Sequence, residues 1–369
     1  MKRQMNFQVL RIVAILLILA FHYCWHSSGS LIIFSDFSFK QFIFFLTGSW
    51  GLLGVYCFVI VSAWFLCDKK LCFSCKKIMN TAGSVVFYTI FIYLTLVAAS
   101  LAPFSAKELV KAVLVIPYNT YWYVTSYLLM ILTAPFINKA IDWSHKKNLD
   151  TVKKLLLLLT ILIPCYKFIF LNQAPIGEYL LFIYIYLLTS YFKHSQNCRL
   201  ITNPFKKLIV IFSLFLLAEC IISILLGSKI FINTFFNEIL IYLLSNIMKR
   251  WNPILIYMAF LLFYTFKDIP IKYNKILDQI SRTTLAIYVI SENPWIGKVL
   301  WDKWLQFSVY YPTNLWLIHY ILSVLIIFVV CLGIETVRSR IALLIQKRLI
   351  KLSAKNIKLI HQIDNWFNI

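Results

Sequence analysis

Long apolar runs follow one another along almost the whole chain, and its Lys and Arg residues gather in every second connection between them. A helix that crosses a bilayer needs roughly 17–25 mostly apolar residues. Runs of that kind lie at 7–26, 43–67, 79–102, 119–141, 154–171, 178–193, 207–226, 282–300 and 315–337, with a longer apolar stretch at 232–266. The pattern predicts an all-α, polytopic transmembrane bundle of about ten helices. One membrane domain then covers 1–337, and 338–369 is a basic cytoplasmic tail.

The basic clusters set the orientation. Lys2 and Arg3 open the chain, and connections two spans apart carry Lys69, Lys70, Lys76 and Lys77, then Lys146, Lys147, Lys153 and Lys154, then Lys193, Arg199, Lys206 and Lys207. The same parity continues through Lys267, Lys272, Lys275 and Arg282 and ends with Arg338, Arg340, Lys347 and Arg348. Cytoplasmic connections hold the excess of Lys and Arg, so both termini are expected in the cytoplasm. The stretch 232–266 contains Lys249, Arg250 and Pro253. Two full crossings there would invert the tail, so it is read as one crossing with a broken or re-entrant part.

Composition excludes other classes. With 61% hydrophobic residues, 14% charged residues and a mean hydropathy of +0.80, the chain cannot cover a soluble surface. The formal charge of +22 comes from 36 Lys and Arg against 14 Asp and Glu. It would suit a nucleic-acid partner only if those residues shared a soluble face; they sit between apolar runs instead, so no nucleic-acid partner is expected. The nine cysteines include one isolated C-x-x-C, Cys72 and Cys75, and no metal-ligand spacing, so no metal is expected. Arg11 interrupts the first apolar run and no small-residue cleavage site follows, which reads as a retained helix rather than a signal peptide.

Ionisable residues inside a membrane are costly and mark candidate sites. Here they are Arg11, His22, Glu219, Glu238, Glu292, His319 and Glu335. Arg11, Glu292 and Glu335 lie near span ends and could snorkel; Glu219 and His319 could pack helices through hydrogen bonds. Arg11 and His22 are the most constrained pair. Eleven residues amount to three helical turns plus about 20°, so both emerge from nearly one face, roughly 16 Å apart along the axis. Two readings stay open on spacing alone. The pair is a coincidence of packing residues, or a cation at the cytoplasmic mouth holds an anionic donor while a base works on its far end.

The run Asn6-Phe7-Gln8-Val9-Leu10-Arg11-Ile12-Val13-Ala14, ending at Phe21-His22, resembles the opening helix of the acyltransferase-3 family, whose signature is an Arg and a His with ten residues between them. Gly54 to Phe65, with Ser62-Ala63-Trp64, is similar to the family's second-helix segment. Asn119-Thr120-Tyr121-Trp122-Tyr123 through Tyr127, with Pro135 and Asn138, resembles the fourth helix of polysaccharide-modifying members. Ser281 to Ile290, followed by Glu292-Asn293-Pro294, resembles a late-helix motif. The chain departs from the pattern at Ala63, usually Gly, at Ser291, where many members carry a second His, and at Lys76 and Lys77, where Arg is common. Lysine attracts phosphate as a point charge and lacks arginine's bidentate fork.

The resemblance implies a multi-pass enzyme of a bacterial cell membrane that takes an acetyl or other acyl group from cytoplasmic acetyl-CoA, a co-substrate rather than a bound cofactor. The acceptor would be a hydroxyl of a surface polysaccharide or lipid-linked glycan. On this reading Arg11 holds the CoA arm with help from Lys76 and Lys77, and His22 is the general base. An unperturbed imidazole titrates near pH 6.5, at about the right place to take a proton at neutral pH. A covalent acyl-His intermediate is the variant route. Tyr121, Trp122 and Tyr123 would line the acceptor path, although each could equally belong to an interfacial aromatic belt. Glu292 would orient the base or bind acceptor. Two rival readings are a glycan transporter or flippase, and an acyltransferase whose histidine lies late in the chain, at His319.

Overall fold

The structure is a computed structural model and describes residues 4–26, 39–68, 75–142, 152–156, 158–160, 162, 176–194, 201–228, 234–247 and 250–352. Among the described residues there is no strand. The helices are α1 (Met5–His26), α2 (Phe39–Leu66), α3 (Cys75–Ala98), α4 (Ala106–Val113), α5 (Trp122–Asp142), α6 (Ile176–His194) and α7 (Pro204–Gly227). They continue with α8 (Phe235–Ile247), α9 (Pro253–Asp268), α10 (Lys275–Ser291), α11 (Pro294–Gly297), a π-helical turn (Lys298–Trp304), α12 (Phe307–Tyr310) and α13 (Trp316–Leu352). Most of the span expected at 154–171, the basic positions 69–70, 146–147 and 199, and the tail beyond 352 lie outside the described residues.

Among the described residues six helices are long and apolar enough to cross a membrane: α1, α2 over Leu46–Leu66, α3, α5 over Trp122–Ile141, α7 over Pro204–Leu226 and α13 over Trp316–Ile345. Along α7 and α13 large apolar side chains point outwards, among them Leu214, Leu217, Ile221, Leu325, Val329 and Val330. Water would penalise such a continuous surface, and lipid accepts it. By contrast α8, α9 and α10 have 13, 16 and 17 residues. At 1.5 Å per residue each falls short of a hydrocarbon core about 30 Å thick.

The interruption expected within 232–266 falls between Ile247 and Pro253. Asn252 caps α9, its side-chain oxygen accepting from the N–H groups of Ile254 and Leu255 at 2.9 and 3.4 Å. Pro253 occupies the first helical position, where its missing N–H costs nothing.

One expected span is corrected. The apolar run at 282–300 is divided, because α10 begins earlier, at Lys275, and stops at Ser291. Pro294 has no N–H to continue the ladder, and Asn293 accepts from the Trp295 N–H at 3.1 Å to start the next turn. Apolarity alone did not reveal this stop.

The chain's contacts gather into two units. The first comprises Met1–Phe58, Arg199–Thr284 and Ile296–Val329; the second comprises Val59–Cys198, Leu285–Trp295 and Val330–Ile369. In the first, α9 packs against α7 and α1, and Phe7 stacks on Phe263 with ring centroids 5.0 Å apart. There α1 also meets α2 closely: a Cβ at Gly54 would stand 2.4 Å from the Ala14 carbonyl oxygen, and one at Gly51 would stand 2.5 Å from the Phe21 ring. In the second, α5 packs against α6 and α3 against α4. Asn138 ties that unit together, donating to the Leu66 carbonyl at 2.9 Å and accepting from the Tyr186 hydroxyl at 2.6 Å.

Candidate active site

Both residues singled out at helical spacing lie on α1, in the first unit. Arg11 is half-buried and directs Nη1 towards Gln8 Oε1, 3.5 Å away. The same Gln8 oxygen accepts from the Ser281 hydroxyl of α10 at 2.7 Å. A buried amide thus links Arg11 to the first residue of the late-helix motif. Arg282, the next residue in that motif, bonds the Asp278 carboxylate one turn back, with Nε at 3.1 Å. Gln8 escaped notice in the sequence because a lone amide on an apolar helix carries no periodic signal.

His22 is buried towards the other end of α1. Its ring centroid lies 5.7 Å from that of His26, one turn on. His26 in turn stacks on Trp301 of the π-helical turn at 5.4 Å and 23°, and Trp301 meets Tyr23 edge-on at 6.4 Å. An imidazole is therefore held in a wall of rings on a helix that also carries a cation near its beginning.

His319 has a different environment. Its Nδ1 and the Tyr23 hydroxyl share a hydrogen bond of 2.7 Å, and Tyr310 lies parallel over it at 4.0 Å. These contacts make it a packing residue joining α13 to α1, in line with its helix-packing reading. Glu335 is likewise engaged: Arg338 grips it with Nε and Nη2 at 2.7 and 2.8 Å, and the Tyr88 hydroxyl donates to it. Glu238 is exposed. Glu219 and Ser223 are buried one turn apart on α7, with no hydrogen-bond partner for their side-chain oxygens among the described residues.

The remaining candidates belong to the second unit. Lys76 is exposed and Lys77 half-buried at the start of α3. The Lys77 ammonium stands 5.6 Å from the Tyr127 ring centroid, and Tyr127 stacks on Tyr123 at 5.9 Å and 8°. Trp122 packs edge-on to Tyr123 at 6.3 Å and Phe182 at 6.1 Å. Tyr121 is buried, its hydroxyl oxygen accepting from Asn293 Nδ2 at 3.1 Å. An interfacial belt would leave Tyr121 and Tyr123 facing headgroups; at 1% and 8% exposure they are interior. Glu292 follows α10 directly, half-buried, its N–H donating to the Tyr288 carbonyl at 3.0 Å. Ser291 is fully buried and turned onto its own helix, donating to the Tyr288 carbonyl at 3.2 Å.

Six helices of membrane-crossing length among the described residues define a multi-pass membrane protein, and a cation and an imidazole lie along the first of them. The chain belongs to the acyltransferase-3 family: the family pattern, described as an acyltransferase domain, matches residues 6–336. It is a membrane acyltransferase. No curated protein and no solved structure gives a match.

Proposed function

We propose that the protein transfers an acetyl group from cytoplasmic acetyl-CoA to a hydroxyl of a cell-surface or exported polysaccharide at a bacterial plasma membrane. The observation that carries the reading is a buried His22 on the same apolar helix as Arg11, within a chain of acyltransferase family. Arg11 attracts the phosphates of the CoA arm, and the Gln8 amide holds its guanidinium. His22 takes the proton of the attacking hydroxyl. Lys76 and Lys77 add positive charge on the donor's side, Tyr121, Trp122 and Tyr123 offer aromatic faces to the sugar, and Glu292 is an acceptor contact.

Two measurements test this. Mass spectrometry of surface glycans from cells with and without the protein should show loss of the acetyl increment when the gene is removed; an unchanged glycan refutes the acceptor and the reaction together. Arg11→Ala should raise the KM for acetyl-CoA about tenfold, as expected for loss of a charge-assisted contact of about 1.5 kcal/mol. An unchanged KM removes the donor role of Arg11.

A further inference from the structure

Trp301 presents a buried donor that no described residue uses. It is 2% exposed, and its indole Nε1 has no hydrogen-bond partner among the described residues. An orphaned buried N–H costs about 1–3 kcal/mol, so its retention calls for a use. Trp301 sits in the π-helical turn Lys298–Trp304, in which the Leu305 N–H reaches back five residues to the Leu300 carbonyl at 3.0 Å. Turns of this kind are frequent at functional sites.

The turn is tied to the histidine helix at two points. His26 stacks on the face of the indole, and Tyr23 of α1 meets the same indole edge-on at 6.4 Å. Face-on stacking leaves the indole edge, and so its N–H, uncovered by His26. We propose that Trp301 is a catalytic residue whose indole N–H stabilises the oxyanion formed during acyl transfer, a role resting on the reading of His22 as base.

The acceptor hydroxyl oxygen bonds to the thioester carbonyl carbon while His22 takes its proton. The carbonyl oxygen becomes an oxyanion, which accepts the Trp301 N–H. Collapse of the tetrahedral centre breaks the carbon–sulfur bond, and the CoA sulfur leaves with the proton from His22, giving an ester and free CoA thiol. Base and oxyanion donor act on different oxygens of one centre, so they must flank it rather than touch each other. Ring contacts lead from Trp301 to His22 through His26, so the two groups belong to one aromatic wall without touching directly in that chain.

The experiment replaces one atom group. Trp301→β-(3-benzothienyl)alanine keeps the shape and stacking of the ring and exchanges N–H for sulfur. In inverted membrane vesicles given radiolabelled acetyl-CoA, kcat should fall about 100-fold or more, as for loss of one oxyanion donor, with KM for acetyl-CoA unchanged. The same exchange at Trp316, whose indole is also buried, has no hydrogen-bond partner among the described residues and stacks on Tyr320, should leave kcat unchanged. A kcat within about threefold of the natural protein overturns the proposal, threefold being far below the loss of one such donor. His22→Ala in the same vesicles separates the two readings: if it retains turnover the assignment of the base fails, and if it is dead while the Trp301 exchange is active only the Trp301 role fails.

Discussion

His22→Ala is expected to abolish acyl transfer while the protein still inserts and folds. A positioned general base contributes typically 10²- to 10⁴-fold, and no other group on α1 can take its place at that depth. His26, one turn further, is exposed at the end of the helix and stacked on Trp301. Folding should survive because the contacts that seat α1 lie elsewhere. Phe7 stacks on Phe263, Gln8 accepts from Ser281, and Ala14 meets Gly54. The contrast is His319→Ala, which removes the hydrogen bond to Tyr23 and the parallel contact with Tyr310. That variant should lower thermal stability in detergent and retain transfer in proportion to the folded fraction. Acetylated surface glycan per unit of membrane-inserted protein is the readout. Near-normal acetylation in His22→Ala, or a selective loss in His319→Ala, would move the chemistry to the other histidine.

The sequence carried the helical part of this architecture well, for a physical reason. Lipid demands unbroken apolar runs, and such runs declare their length; the expected 7–26, 178–193 and 207–226 became Met5–His26, Ile176–His194 and Pro204–Gly227. The spacing of Arg11 and His22 was legible because helical periodicity alone fixes which residues share a face. What the sequence concealed depends on contacts between distant segments. Nothing near Gln8 announces Ser281, 273 residues away. Nothing near Trp301 announces a π-helical turn under His26. The stop at Ser291 was written in Asn293-Pro294, a turn signal that the apolar run around it outweighed.

The close approach of α1 and α2 gives the second large effect. Gly54 opens the motif segment of α2, and the point where its Cβ would stand is 2.4 Å from the Ala14 oxygen and 2.9 Å from Ile18 Cγ1. Real Cβ atoms do not approach backbone oxygen so closely, and the Ala14 carbonyl cannot swing away because it is part of the α1 ladder. The helices would have to separate, which forfeits packing that drives helix association in lipid. Gly54→Val should therefore destabilise the protein by about 1–3 kcal/mol, the usual cost of overpacking, and shift α1 enough to suppress transfer. Gly51→Ala presses on Phe21, the residue before His22, at Cγ and Cβ (2.5 and 2.6 Å), atoms that the α1 backbone holds in place, and should lower stability and activity together. Gly83 is the internal control. It lies on α3 with nothing within 4 Å of its added Cβ, so Gly83→Ala should be silent and slightly favour the helix. Thermal stability of purified protein in detergent, measured beside acyl transfer in vesicles, tests all three. A Gly54→Val protein as stable and active as the Gly83→Ala protein would mean that α1 and α2 do not meet at Gly54, and that the seat of His22 is built in another way.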